Sequence, residues 1–148
     1  MHIIWQIMEF HFLRVSYKSM VDWQDSVDLL RCNESFFHHP QYDYVLISTE
    51  GRCFFAQLLS LFQFQADTKS YSLALVRAYG TPSGSIRRKD RDLGLHHIRV
   101  KSSPYMIIPL ESIVRGALLV EDANTPGDFF VVDTVDGDMF LHIASLFP

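Results

Sequence analysis

Apolar and polar positions alternate along much of this chain, and turn residues interrupt the alternation at short intervals. Residues 2–17, rich in Ile, Phe, Val and Tyr, read as one long strand or two broken ones, with a helix as the alternative. Between Met20 and Cys32 the spacing of Trp23, Val27 and Leu30 predicts a short helix opened by Asp22 or Asp25. Asn33 to Gln41, bounded by Pro40, reads as a loop; Tyr42–Thr49 reads as a strand and Glu50-Gly51 as a tight turn. Arg52–Gln65 fits both periods. Ala56, Leu58, Phe62 and Phe64 alternate with glutamines as a strand requires, while Leu58, Leu59, Leu61 and Phe62 also fit a helix. The bounding turns favour a strand, because Ala66-Asp67-Thr68-Lys69 would join it as a hairpin to Ser70–Tyr79. That second strand carries Tyr71, Leu73 and Leu75 on one face and Ala74, Val76 and Ala78 on the other. It therefore predicts a central place in a closed or covered sheet.

Gly80 to Gly94 is charged and contains Pro82 and Gly84, which predicts an exposed loop. Leu95–Lys101 alternates as a strand, and Ser102-Ser-Pro104 is expected to break it. Tyr105–Ser112 leads into a predicted three-strand meander made of Arg115–Val120, Asp128–Val135 and Asp138–Ile143. Asn124-Thr-Pro-Gly127 supplies its first turn; Asp136-Gly137, between β-branched and aromatic runs, predicts a type I′ hairpin turn for the second. Eight or so short strands spaced this way imply an all-β fold with one or two short helices. The pattern suits a partly open, SH3-like β-barrel. We expect one domain over residues 1–148, with residues 1–41 as an N-terminal extension and 42–148 as the barrel.

Composition narrows this only a little. Hydrophobic residues are 48% and aromatics 14%, mostly twelve Phe and six Tyr, which excludes a disordered chain. The net charge of −4 gives no whole-molecule attraction to nucleic acid, so any basic surface must be local. Cys32 and Cys53 are the two cysteines and read as free, partly buried thiols, with a disulfide as the alternative; no C-x-x-C half-site marks a metal. The segment Met1–Arg14 is interrupted by His2, Gln6, Glu9 and His11. It lacks the features of a secretory signal and is too short and polar to span a bilayer, so an intracellular, non-membrane protein is expected.

Candidate chemistry is sparse. Asp133, Asp136 and Asp138 crowd together without the spacing of a calcium loop, and a turn with flanking acidic residues accounts for them. His38-His39 and His96-His97 are adjacent pairs whose members point to opposite faces of a strand, which argues against a shared metal. Ser112 and Cys53 lack a nucleophile signature, and Gly80-Thr-Pro-Ser-Gly84 lacks the lysine of a phosphate loop. We expect no cofactor, no metal and no enzymatic activity. Phe36, Phe37, Tyr42, Tyr44 and Tyr79 are aromatic-cage candidates that core packing also explains. The best functional candidate is a basic region. Arg87, Arg88, Lys89 and Arg91, with Arg99 and Lys101 in the next strand, have the chemistry to neutralise phosphates or an acidic peptide, although Asp90 and Asp92 offset part of it.

Several segments carry a resemblance. They include Met20-Val-Asp-Trp23, Asp28-Leu-Leu-Arg-Cys-Asn33, Tyr71-Ser-Leu-Ala-Leu-Val-Arg77, Arg87-Arg-Lys-Asp-Arg-Asp-Leu93, Ser112–Asp122 and Phe129–Leu141. Together they resemble the C-terminal region of Plavaka-type and related transposon-encoded proteins of mushroom-forming fungi, over roughly residues 10–143. That region lies downstream of the transposase core. The entry Ile108-Pro-Leu-Glu-Ser-Ile113 is also loosely similar to bromo-adjacent homology domains, which are β-rich chromatin-interaction modules. The resemblances imply a non-catalytic accessory domain with a protein or chromatin partner, and by extension a nuclear site. A DNA-contacting module using Arg87–Lys101 is the alternative expectation.

Overall fold

The computed structural model describes residues 5–80 and 93–146. They form a mainly β, antiparallel fold that does not close into a complete barrel, with one α-helix among the described residues. The strands are β1 (Trp5–Phe10), β2 (Phe12–Lys18), β3 (Asp25–Phe36), β4 (His39–Tyr42), β5 (Tyr44–Thr49) and β6 (Arg52–Ala66). β7 (Lys69–Gly80), β8 (His96–Pro109), β9 (Ile113–Ala117), β10 (Leu119–Glu121) and β11 (Asp128–Val131) follow, and α1 (Gly137–Leu146) ends the described chain. The large sheet runs β10-β11-β8-β7-β6-β5-β9, and β1 pairs with the far half of β6. A smaller sheet, β2-β3-β4, lies against one face of it.

Local chemistry explains the regular part. Glu50 and Gly51 both take positive φ, as a two-residue I′ turn requires, and join β5 to β6. Asp67 does the same in the turn from β6 to β7. β7 is central, as its two apolar faces predict, with β6 on one side and β8 on the other. The N-terminal run is two strands bent at His11, not a helix.

The sheet is apolar on both faces and carries a core on each. Leu58, Leu61, Ala74, Val76 and Ile108 face Val15, Leu30 and Cys32 of the small sheet. On the other side Leu46, Phe55, Tyr79 and Ile98, with Phe129 and Val131 of β11 in the same sheet, pack with Met139 and Ile143, so α1 forms the second cover. β5 shows why both faces must be apolar: Val45 and Ile47 belong to the first core and Leu46 to the second.

Four expectations are corrected. The helix expected near Trp23–Leu30 is strand β3, because Leu30 and Cys32 alternate into the core while Val27 and Leu29 point out; Trp23 sits in the preceding turn at φ 59°. The expected loop Asn33–Gln41 holds the end of β3 and most of β4, joined by Phe37 and His38 at positive φ. No Gly or Asn marks that turn. Pro40 is tolerated because β4 is an edge strand. The sequence Ser102-Ser-Pro104 does not end β8; the strand bulges between the pairs Tyr79–Val100 and Arg77–Tyr105, where proline's missing N–H costs no ladder bond.

The last correction concerns the end of the chain. The expected meander keeps its β10–β11 pair, turned by Gly127 at φ 88°, but the hairpin at Asp136-Gly137 is absent. Asp136 instead caps α1, its Oδ1 accepting from Met139 N at 2.8 Å. Met139 and Ile143, one helical turn apart, are fully buried. The other neighbour of β11 is β8.

Candidate functional site

Of the six basic candidates, Arg87, Arg88, Lys89 and Arg91 fall outside the described residues. Arg99 is not a bare cation. Its Nε and Nη2 donate to Asp128 at 2.6 and 3.0 Å in a bidentate pair, and His97 Nε2 lies 2.8 Å from the same carboxylate. The Arg99 guanidinium holds the Asp128 carboxyl below its ordinary range and is itself raised in return. Lys101 sits with its ammonium 5.2 Å from the Phe54 ring centroid. It borders a cavity of about 260 Å³ whose walls include Arg52, Phe54, Phe55, Ile98 and Leu146. The structure thus separates the two described members of the basic set: one is paired with a buried acid, the other rests on an aromatic ring.

The acidic cluster has a different role from a turn or a metal site. Arg115, 5% exposed, donates to Asp136 Oδ2 at 2.7 Å, to Asp136 Oδ1 at 2.9 Å and to Asp138 Oδ2 at 2.8 Å. Its Nε lies 3.6 Å from Asp28, and its guanidinium stands 4.7 Å from the Tyr17 ring centroid. Asp28 accepts from Gly116 N at 2.8 Å, and Asp138 from Met20 N at 2.6 Å. Burial disfavours the Arg115 charge, but the hydrogen bonds it donates to Asp136 and Asp138 outweigh that and hold the guanidinium protonated. The cluster is a rivet that joins the small sheet, β9 and α1. Among the described residues no three His, Cys, Asp or Glu side chains come together in a way that would hold a metal ion.

Of the histidine pairs, only His96-His97 lies within a strand, and its members split between two partners. His96 lies 3.6 Å from Asp133 and His97 against Asp128, while His38 occupies the β3–β4 turn and His39 opens β4. Tyr44 and Tyr79 do meet, with Phe129 as third ring at centroid distances of 5.0–6.2 Å. Tyr79 and Phe129 are buried, so the trio is core rather than an open cage; burial pushes the Tyr79 hydroxyl up to about 12. Phe36 and Phe37 stack edge to face at 4.5 Å beside Arg31, on the far side of the small sheet.

The feature that the sequence reading missed is an uncovered half-face of the large sheet. Directly opposed residues of antiparallel strands project to the same face. One such row is Ile7–Phe64–Tyr71; the next is Glu9–Phe62–Leu73–Pro109. Leu75–Ile107 and Arg77–Tyr105 continue the same face toward the part covered by α1. Ile7 is 66% exposed, Ile107 62% and Tyr105 66%, with Phe62, Phe64, Leu73 and Leu75 half-buried between them. Natural antiparallel sheets with one solvated face place polar residues there. This one does not.

β1 forms the margin of that face. All six of its residues pair with β6, from Trp5–Ala66 to Phe10–Leu61, and no strand among the described residues pairs with its other edge. The signal was present in the sequence as strands apolar on both faces, but it was spent on predicting burial. Comparison of the chain with family models, curated proteins and solved structures finds no match.

Proposed function

We propose that this chain is a non-catalytic protein-contact module whose contact surface is the uncovered apolar half-face on β1, β6, β7 and β8. The observation that carries the reading is the exposure of Ile7, Tyr71, Tyr105 and Ile107 around half-buried Phe62, Phe64, Leu73 and Leu75. Contiguous apolar patches of this kind are rare on soluble monomers and mark interaction sites. Such a module is also what the resemblance to transposon-encoded C-terminal regions implies, with a protein or chromatin component as partner. The bidentate pairing of Arg99 with Asp128 leaves that arginine less available to a phosphate or an acidic peptide, which supports the apolar face over the basic region.

The test is a photo-crosslinking amino acid placed at Ile107 and, as a control, at exposed Glu34 on β3. A partner captured from Ile107, not from Glu34, and lost when Tyr105→Glu is added, is the expected result. Equal capture from both positions, or none from Ile107, would refute the reading.

A further inference from the structure

Arg77 stands on β7 where the uncovered half-face meets the covered part of the sheet. Leu75, two residues before it on the same face, is half-buried; Tyr79, two residues after it, is 2% exposed. Across the strands Arg77 opposes Gln57 of β6 and Tyr105 of β8, and Gln57 in turn opposes Tyr44 of β5. The Tyr79 ring packs 6.2 Å from that of Tyr44, so it leans toward the row that carries Arg77. Two donors here have nothing to donate to. The Arg77 Nε is sealed from solvent and finds no hydrogen-bond partner among the described residues, and neither does the Tyr79 hydroxyl. The ion pairs of the described residues engage Arg99 and Arg115, not Arg77. Gln57 directs its Nε2 to Tyr42 O at 3.4 Å, and Glu121 Oε1 accepts from Gly127 N at 3.4 Å. Burial raises the hydroxyls of Tyr44 and Tyr79; Glu121 raises them further and Arg77 opposes it, so these groups share one electrostatic neighbourhood. A donor shut away from water and left unpaired is costly, the more so when it carries charge. Such a pair marks a place that an acceptor from outside completes.

We propose that Arg77 and Tyr79 form a carboxylate-binding site, which takes an aspartate or glutamate side chain of the partner protein that covers the half-face. The inference rests on reading that face as a contact surface and names the chemistry of its occupant. The donors choose the ligand. A guanidinium N–H and a phenol O–H both donate, and together they match the two oxygens of one carboxylate. A single cation offsets a single negative charge, whereas a phosphate dianion would leave charge uncompensated beside Glu121. The surroundings choose the source. Leu75 and Ile107 form the next row of the face and Tyr105 opposes Arg77, so a group that reaches the guanidinium lies against apolar surface. An acidic side chain flanked by apolar residues meets both conditions.

The experiment follows the Arg77 Nε–H resonance by NMR in protein isotopically labelled at arginine; Arg77→Lys, which lacks that group, identifies the signal. The probe is the N-acetyl amide of glutamate, titrated at constant ionic strength to about 100 mM, a range that reaches millimolar affinities. The expected result is a saturable shift at Arg77 that the uncharged glutamine analogue does not produce. Tyr79→Phe removes the orphan hydroxyl and keeps the ring. It should weaken the probe about tenfold, the value of one hydrogen bond to a charged group, and leave melting unchanged or raised. Inorganic phosphate under the same conditions should bind more weakly than the glutamate probe. The proposal is overturned by the absence of a saturable shift, by an equal shift from the glutamine analogue, or by tighter binding of phosphate. A Tyr79→Phe variant that binds as tightly as wild type, or melts lower, overturns it as well. A silent Arg77 leaves capture of a partner from Ile107 untouched, and loss of that capture leaves the Arg77 titration untouched, so the two readings fail separately.

Discussion

Replacing Arg115 with methionine removes the one cation that faces Asp28, Asp136 and Asp138 together, while keeping side-chain length and apolar volume. The three carboxylates differ in what they lose. Asp136 is 42% exposed, so solvent screens its contact and its share of the loss is small. Asp28 is 24% exposed and keeps its bond from Gly116 N. Asp138, 5% exposed, sets the size of the effect: stripping a buried ion of its partner costs about 3–5 kcal/mol. Met20 N at 2.6 Å and His142 Nε2 at 3.3 Å still serve Asp138, which places the expected loss at the lower end, about 3 kcal/mol at pH 7. For a chain near this length that lowers the melting temperature by about 6–12 °C. The pH dependence has a definite sign. Arg115 depresses the Asp136 carboxyl in the folded state, so its stabilisation is present above the unfolded carboxylate range and is lost as pH falls through the folded value. Methionine at 115 forfeits that contribution, and the gap between wild type and variant narrows below about pH 4. Urea melts of both proteins at pH 7 and at about pH 3.5 measure it, and Asp138→Asn added to Arg115→Met should restore part of the loss at pH 7. A loss under about 1 kcal/mol at pH 7, or a gap that widens on acidification, would show that this cluster does not rivet the fold.

Other predictions test separate parts of the structure. Gly116→Ala should destabilise by about 2 kcal/mol in urea melts, because its Cβ would stand 2.9 Å from Leu30 Cδ2 and 3.2 Å from Asp28 Oδ2; an unaffected melt would mean β3 and β9 are not in close contact. Cys53 is exposed and should alkylate in the native protein, whereas buried Cys32, its thiol pushed up to about 11 by burial, should react only in denaturant; equal labelling in mass spectra would contradict the first core. A labelled DNA duplex titrated at about 50 mM salt should show no binding by fluorescence anisotropy, since Arg99 is already paired and the net charge is −4. Tight binding with a steep salt slope would instead favour a DNA-contacting role for the Arg87–Lys101 region.

What the sequence by itself determined were the features whose physics is local. The two-residue turn at Glu50-Gly51 and the period-two runs of β6 and β7 needed only neighbouring residues, and each lies where the pattern predicts. The mainly β class follows from repeating such units. Tertiary structure decided the cases in which two local readings were nearly equal. Asp136-Gly137 is as good a hairpin turn as a helix start; the balance went to the helix because Met139 and Ile143 fill the second core and Arg115 holds Asp136 and Asp138. The same holds for β3, where an apparent helical spacing gave way to pairing with β2. The contacts that settle these choices join residues far apart in the chain, such as Asp28 with Gly116 and Met20 with Asp138, and no window of sequence contains them. Alternation likewise marks both faces of β6 and β7 as apolar, but it carries no record of which stretch of a face another segment covers. That was decided by where the small sheet and α1 come to rest, which leaves the half-face on β1, β6, β7 and β8 exposed because nothing among the described residues extends over it.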